Sequence, residues 1–470
     1  MRKRLAKIVA TVGPASAAPA NLELLHEVGV DIFRVNFSHG EHESHAKVIK
    51  AIRAASVKSG RPIGILADMQ GPKIRVASFK GGKITLNMGE IVRIEIGEEE
   101  GSDGLIYMPH PELLGVMKPG CILKFDDGKL MATITENDGK ALTARIDVPG
   151  VLSNRKGVNI IGAVLPVSAM TKKDERDMAF ALSQNVDFIA LSFVQNVGDV
   201  TAARAIIKDK AGLIVKIEKP SAVDDIEDIV KAADGVMVAR GDLGVELPLE
   251  QVPVVQRHII RTARALGRPV IVATHMLESM IDSPTPTRAE ASDVATAMYQ
   301  GADAVMLSAE TAVGRHPATA VAIMDRIIAA AEADPEYWSY FNRNPLLHEK
   351  TSEDAISESV RTIAGALGCT AVFGYTASGE TVKRIARERP PCRIIGLTPS
   401  QDVANRMTLT WGVTPIVLEG PESFDAMLGS VQKLATTTAG LKRGDNIIVC
   451  AGIPLAELGN TNALKISVVE

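Results

Sequence analysis

The chain has 470 residues, 46% of them hydrophobic and 23% charged, room for about three domains with large cores. A net charge of -4, a pI near 6.2 and only 4% aromatics give no basis for a nucleic-acid surface or for base-stacking platforms. No apolar run is long enough to span a bilayer, and four scattered cysteines (Cys121, Cys369, Cys392, Cys450) read as reduced thiols of a cytoplasmic protein.

The basic start Met1-Arg2-Lys3-Arg4 leads into a short strand-like run, not into the longer apolar core of a signal peptide. Eight such runs follow in order: Ile8–Val12, Asp31–Val35, Ile63–Ala67, Phe188–Leu191, Leu213–Ile217, Val236–Ala239, Val270–Ala273 and Ala304–Leu307. Their unbroken apolar character suits strands buried on both faces. Helix-like stretches separate most of them. Three starts carry a capping-box spacing: Thr171 with Asp174, Ser221 with Asp224, and Thr287 with Glu290. Eight strands alternating with helices predict an α/β fold, a (β/α)8 barrel. The strands end in polar groups: Thr11, Arg34 with Asn36, Asp68, Ser192, Lys216 with Glu218, Asp242, Thr274 with His275, and Ser308 with Glu310. Barrel active sites lie at those ends.

Between the third and fourth runs the texture changes. Ile91–Ile96 alternates as a half-buried strand does, and Cys121–Phe125, Asp126-Asp127-Gly128 and Leu130–Ile134 read as a hairpin. A small β-barrel-like domain over residues 71–165 is therefore expected, inserted into a barrel of residues 1–70 and 166–345, and placed to act as a lid. The Pro-, Asn- and aromatic-rich stretch Asp334–Lys350 marks a further boundary. Residues 346–470 carry strand-like runs at Ala371–Tyr375, Arg393–Leu397, Val413–Val417, Asn446–Cys450 and Leu464–Val469, the pattern of an open-sheet α/β domain.

The chemistry concentrates at the strand ends. Arg34-Val35-Asn36-Phe37-Ser38-His39-Gly40 offers a bidentate grip for phosphate, with neutral oxygens on Asn36 and Ser38. In Asp68-Met69-Gln70-Gly71-Pro72-Lys73-Ile74-Arg75, at the hinge of the insertion, Lys73 and Arg75 alternate onto one face toward a polyphosphate. Lys216 and Glu218 point the same way from one strand, and Asp242 arrives beside them if the next strand is a parallel neighbour. Two carboxylates suit a hard divalent cation, and the ammonium suits a transferring phosphoryl group or an oxyanion. Backbone around Gly241-Asp242-Leu243-Gly244 can bind an anionic group. Thr274 is a hydroxyl able to pass a proton, whereas a lone His275 is more often a loop residue. Thr376-Ala377-Ser378-Gly379-Glu380-Thr381 follows a strand and opens a helix, serving either as a phosphate cradle or as simple N-capping.

Taken together these stretches resemble the pyruvate kinase family over essentially the whole chain. The resemblance is carried by Lys7–Ser16, Arg34–Gly40, Asp68–Arg75, Lys216-Ile217-Glu218, Val236–Pro248, Ala273–Met280 and Gly301–Gly314. It implies a phosphotransferase that moves the phosphoryl group of phosphoenolpyruvate to ADP, giving pyruvate and ATP. By matching position it implies Mg2+ (or Mn2+) on Glu218 and Asp242, and Lys216 at the transferring group. Arg34 would lie on the phosphate, the backbone of Gly241 and Asp242 on the carboxylate, and Thr274 near the enolate carbon with Ser308 as relay. His39, Arg75 and Asn36 would face the nucleotide. It also implies a homotetramer with a phosphorylated small-molecule effector at Thr376, Ser378, Gly379 and Thr381.

Several positions depart from the family pattern. His275 stands where Gln is usual, and Asn196 and Val313 stand where some members use Lys near the nucleotide. Lys73 replaces a Glu of potassium-dependent members, beside the ion-binding group Asn36, Ser38, Asp68 and Met69, so activity without K+ is expected. The late segment Ala451-Gly452-Ile453-Pro454 lacks the Trp-Arg pair that resembles a bisphosphate clamp, which argues against fructose bisphosphate as activator. Two other readings compete: a barrel lyase or aldolase acting on a pyruvate-like enolate, and a catalytically dead metabolite sensor. The inserted lid with Lys73 and Arg75 favours a nucleotide enzyme over the first, because a nucleotide needs a second wall. Intact Lys216, Glu218, Asp242 and Thr274 argue against the second.

Overall fold

Six of the eight barrel strands are buried at every position, and the exceptions in the other two fall on Arg34, Asn36 and Lys216. The structure, a computed structural model, describes residues 2–343, 346, 350–455 and 461–470. Strands β1 (Lys7–Thr11), β2 (Ile32–Asn36) and β3 (Gly64–Asp68) begin the barrel. After an inserted domain come β12 (Phe188–Leu191), β13 (Gly212–Ile217), β14 (Gly235–Ala239), β15 (Val270–Ala273) and β16 (Ala304–Leu307). All pair in parallel and close in the order β1-β16-β15-β14-β13-β12-β3-β2. Alternation of side chains splits the buried surface in two. Val9, Ile32, Ile214, Met237 and Ile271 fill the lumen, while Ile8, Phe33, Val215 and Val238 pack against the helices.

The inserted domain holds β4 (Lys83–Leu86), β5 (Ile91–Ile96), β6 (Leu105–Met108), β7 (Ile122–Phe125), β8 (Leu130–Asn137), β9 (Ala141–Val148), β10 (Gly150–Ser153) and β11 (Val158–Ile161). They form a six-stranded sheet, β11-β7-β8-β9-β5-β6, and a two-stranded one, β10-β4, over a core separate from that of the barrel. Strand β5 starts with the expected alternation, and β7–β8 is the expected hairpin, turning through Asp126, Asp127 and Gly128 at positive φ. The two connections to the barrel are pinned together. Arg75 bridges Gly157, and Val158 N donates to Ile74 O at 3.0 Å.

The C-terminal domain is an open sheet of β17 (Ala371–Tyr375), β18 (Arg393–Thr398), β19 (Val413–Val417), β20 (Asn446–Ala451) and β21 (Ala463–Val468), in the order β19-β18-β17-β20-β21. All but β21 run parallel. This domain closes the barrel floor: Leu409 joins the lumen cluster. A Cβ at residue 64 would lie 2.5 Å from Thr408 Oγ1, so Gly64 makes room for that approach. Among the described residues no helix is long and apolar enough to cross a membrane.

One of the three expected capping boxes meets a different outcome. Thr171 and Thr287 do cap their helices with complete capping boxes. Ser221 does not: its helix, Pro220–Asp224, starts one residue earlier with Lys219 at the cap and no side-chain cap bond, because Pro220 presets the first turn. The expected boundary at 345/346 falls in a stretch whose residues 344–345 and 347–349 lie outside the described residues.

Candidate active site

Four strand ends converge on Lys216. Its Nζ lies 2.8 Å from Glu218 Oε1 and 3.5 Å from Asp68 Oδ1, and it donates to Ser192 Oγ at 2.8 Å. Asp68 also accepts from Arg34 Nε at 2.7 Å, and Arg34 Nη1 donates to Thr11 Oγ1 at 3.0 Å. Ser192 Oγ donates in turn to Met69 O at 2.7 Å. The register explains the meeting: Arg34 pairs with Leu66 and Asn36 with Asp68, while β13 follows β12 around the wall. Burial opposes the charge on Lys216, but Asp68 and Glu218 outweigh it and raise its pKa, so the ammonium stays charged. Burial likewise opposes ionisation of Asp68, and Lys216 and Arg34 overcome it to hold that carboxyl below its usual range.

Glu218 behaves differently. Burial, with the Asp242 charge adding to it, pushes its pKa up to about 7 against the pull of Lys216. Its Oε2 accepts from Phe193 N at 2.7 Å, while Oε1 faces Lys216 without hydrogen-bond geometry. A desolvated carboxylate with an unused lone pair, repelled by a second carboxylate, suits a divalent cation that keeps other oxygens as ligands. Among the described residues no cluster of three or more His, Cys, Asp and Glu is ready to hold a metal, so substrate oxygens and water would complete such a shell.

Thr274 stands at the end of β15 with φ of 67°, and His275 follows at 53°. Thr274 Oγ1 donates to Ala273 O at 2.6 Å and accepts from Gly241 N at 2.7 Å. Of the amides expected to face a substrate carboxylate, that of Gly241 is thus already engaged. Ser308 Oγ is inaccessible and has no hydrogen-bond partner, while its backbone N donates to Glu310 Oε2 at 2.7 Å.

The remaining expected residues lie around this centre. Lys73 is exposed, in a cleft between barrel and insertion that Phe193, Lys219 and Asp242 also line. The segment around it is not a strand, so Lys73 and Arg75 do not share a regular face. Arg75 instead donates to Arg155 O at 2.8 Å. His39 is exposed, and Asn36 Oδ1 accepts from Ser38 N at 3.1 Å. Asn196 caps its helix, accepting from Gly198 N at 2.8 Å. In the C-terminal domain Thr376 Oγ1 accepts from Gly379 N at 2.8 Å within the turn before the helix, and Thr381 shares a hydrogen bond with the distant Thr461 at 2.8 Å. Sequence reading named Ser192 and Asp68 as polar strand ends but missed them as partners of Lys216. Their strand-end position was the available signal. Asp293, a helix carboxylate that turns out to hold Arg240, gave none.

Comparison with known proteins covers the chain as a whole. The family model described as pyruvate kinase, barrel domain, matches residues 3–321, and that described as pyruvate kinase, alpha/beta domain, matches residues 354–467. A pyruvate kinase of Methylorubrum extorquens is 46% identical over all of this chain and 98% of its own length. One of Agrobacterium vitis is 47% identical over 98% of this chain and 96% of its own length. A crystal structure of a pyruvate kinase from Cryptosporidium parvum superposes with a TM-score of 0.95 at 33% identity, covering 100% of this chain and 97% of that one.

Proposed function

The chain belongs to the pyruvate kinase family, and from that premise we propose how its own residues move the phosphoryl group of phosphoenolpyruvate to ADP. The observation that carries the assignment of roles is the Lys216 ammonium, held charged and nearly dry among Asp68, Glu218 and Ser192, beside the Arg34 guanidinium.

Arg34 grips the phosphate of phosphoenolpyruvate, and Asp68 keeps it aimed. Lys216 stabilises charge on the transferring group and on the enolate oxygen left behind, an arrangement that costs no reorganisation at the moment of reaction. Glu218 and Asp242 would hold Mg2+ or Mn2+, which when bound neutralises phosphate charge. Backbone N–H of Asp242 binds the carboxylate, and that of Gly241 joins it on leaving Thr274 Oγ1. The Thr274 hydroxyl hands a proton to the enolate carbon, and Ser308, with its unused hydroxyl, lies in reserve as relay. His39, Asn36 and Arg75 face ADP as the inserted domain closes over the cleft. Lys73 supplies a tethered positive charge near Asn36, Ser38, Asp68 and Met69, which makes potassium unnecessary. The enzyme works in the cytoplasm as a homotetramer, and Thr376, Ser378, Gly379 and Thr381 receive the phosphate of an effector other than fructose bisphosphate.

The deciding experiment is a coupled assay for pyruvate from phosphoenolpyruvate and ADP, with and without Mg2+. Pyruvate formed only with all three present is the expected result. Pyruvate formation that ignores ADP would point instead to a lyase or hydrolase.

A further inference from the structure

Thr274 and His275 are two successive non-glycine residues in the left-handed region, and the first is β-branched. Such a conformation persists only where its surroundings over-determine it. Arg240 does so here. Its Nη2 donates to Thr274 O at 2.6 Å and lies 2.7 Å from Met276 Sδ, and its Nε donates to Ala273 O at 3.2 Å. The fork is itself aimed by Asp293, from the helix Arg288–Gln300, which accepts from Nη1 with both oxygens at 2.8 and 2.6 Å. The guanidinium is largely buried, which strengthens each of these bonds.

We propose that Arg240, held by Asp293, is a positioning residue that locks the Thr274–His275 turn so that the Thr274 hydroxyl faces the enolate. The proposal rests on the reading of Thr274 given above. Ala273 O takes a hydrogen bond from both Arg240 Nε and Thr274 Oγ1. When the hydroxyl turns its proton toward substrate, that carbonyl keeps a donor. Arg240 thus holds the backbone in place and also lowers the cost of releasing the proton. It touches no substrate itself.

Arg240→Lys keeps the charge beside Asp293 but cannot fork onto two carbonyls. The measurement is exchange of solvent deuterium into the pyruvate methyl with Mg2+ and ATP present, together with kcat, KM for phosphoenolpyruvate and Tm. Wild type, Arg240→Lys, Asp293→Asn, Thr274→Ala and the double variant Arg240→Lys/His275→Gly are compared. Exchange in Arg240→Lys should fall on the order of tenfold, the effect of losing a hydrogen bond from a charged donor, while KM and Tm hold. Asp293→Asn should show the same split more weakly, and it carries the test should Arg240→Lys not fold. Glycine at 275 removes strain at that position and should restore part of the exchange. If Thr274→Ala slows exchange while Arg240→Lys and Asp293→Asn do not, the clamp is overturned and the role of Thr274 stands. If Thr274→Ala leaves exchange untouched, the reading of Thr274 falls and the clamp falls with it. A parallel loss of KM, Tm and exchange with no rescue by glycine would make Arg240 a structural residue only and overturn its positioning role.

Discussion

Lys216 Nζ and Glu218 Oε1 lie 2.8 Å apart, yet Oε1 is without a hydrogen bond. The two residues leave the same strand end on the same side, so the contact follows from the two-residue period of β structure rather than from a fitted ion pair. The ammonium has better-aligned work with Ser192, and the buried carboxylate oxygen keeps an unused lone pair.

That lone pair motivates the first prediction. Asp242→Ala should leave the protein folded, weaken Mg2+ binding and lower turnover by roughly two orders of magnitude, the scale of charge stabilisation a metal supplies. Mg2+ titration of activity, with circular dichroism as the folding control, checks it. Near-normal activity at low Mg2+ would remove Asp242 from the metal site.

Phosphoryl transfer and proton transfer should separate by mutation. Lys216→Met removes a preorganised cation and should cost about 100- to 1000-fold in kcat, with phosphoenolpyruvate still bound. Thr274→Ala should mainly slow solvent-proton exchange at the pyruvate methyl. Equal losses in both reactions for both variants would contradict this division.

Lys73 governs the third expectation. Wild type should be active in tetramethylammonium buffer. Lys73→Glu should become dependent on added potassium, because the new carboxylate needs balancing. A tethered ammonium and a bound monovalent cation at close range would repel by roughly 4 kcal/mol near a protein surface, so one of them suffices. A wild-type rate near zero without potassium, rising steeply on its addition, would contradict the assignment.

Stability should carry a signature of His26. Burial lowers its pKa to about 4, and Nδ1 lies 2.9 Å from Val30 O. The folded state therefore binds this proton less readily than the unfolded chain, whose value is near 6.5. Stability from this group is complete above 6.5 and is lost as pH falls from there toward 4, by at most about 3 kcal/mol. Asp187, raised by burial to about 6, works in the opposite sense: it favours the fold at low pH and loses that contribution as pH rises to 6. Denaturant titrations of wild type and His26→Gln between pH 4 and 7 isolate the histidine. The difference between them should shrink on acidification, and parallel curves would rule out a buried neutral His26.

Much of this architecture was legible because the barrel strands are short, apolar and each followed by a polar end. Lys216 and Glu218 were readable from the alternation rule, and Asp242 from the next strand of the order. What stayed hidden depends on partners distant in sequence. Nothing near Asp293 announces Arg240, and nothing near Leu409 announces a place in the barrel lumen. The Ser221 cap failed because Pro220 starts the helix first. The Thr376–Thr381 stretch could be read as cradle or cap, and its hydroxyls are engaged within the domain.

The pinned root of the inserted domain has a consequence for how the chain assembles. Strands β3 and β12 are neighbours in the barrel wall, Leu66 beside Phe188, with the whole insertion between them. Were that segment unstructured, joining the two strands would carry the entropy of closing a very long loop. Because it has its own core and its two ends meet at Arg75 and Gly157, it returns the chain to where the insertion began, and the helix Lys172–Ser183 then leads on to β12. What remains to be closed between β3 and β12 is then an ordinary strand–helix–strand connection rather than a loop as long as the whole insertion.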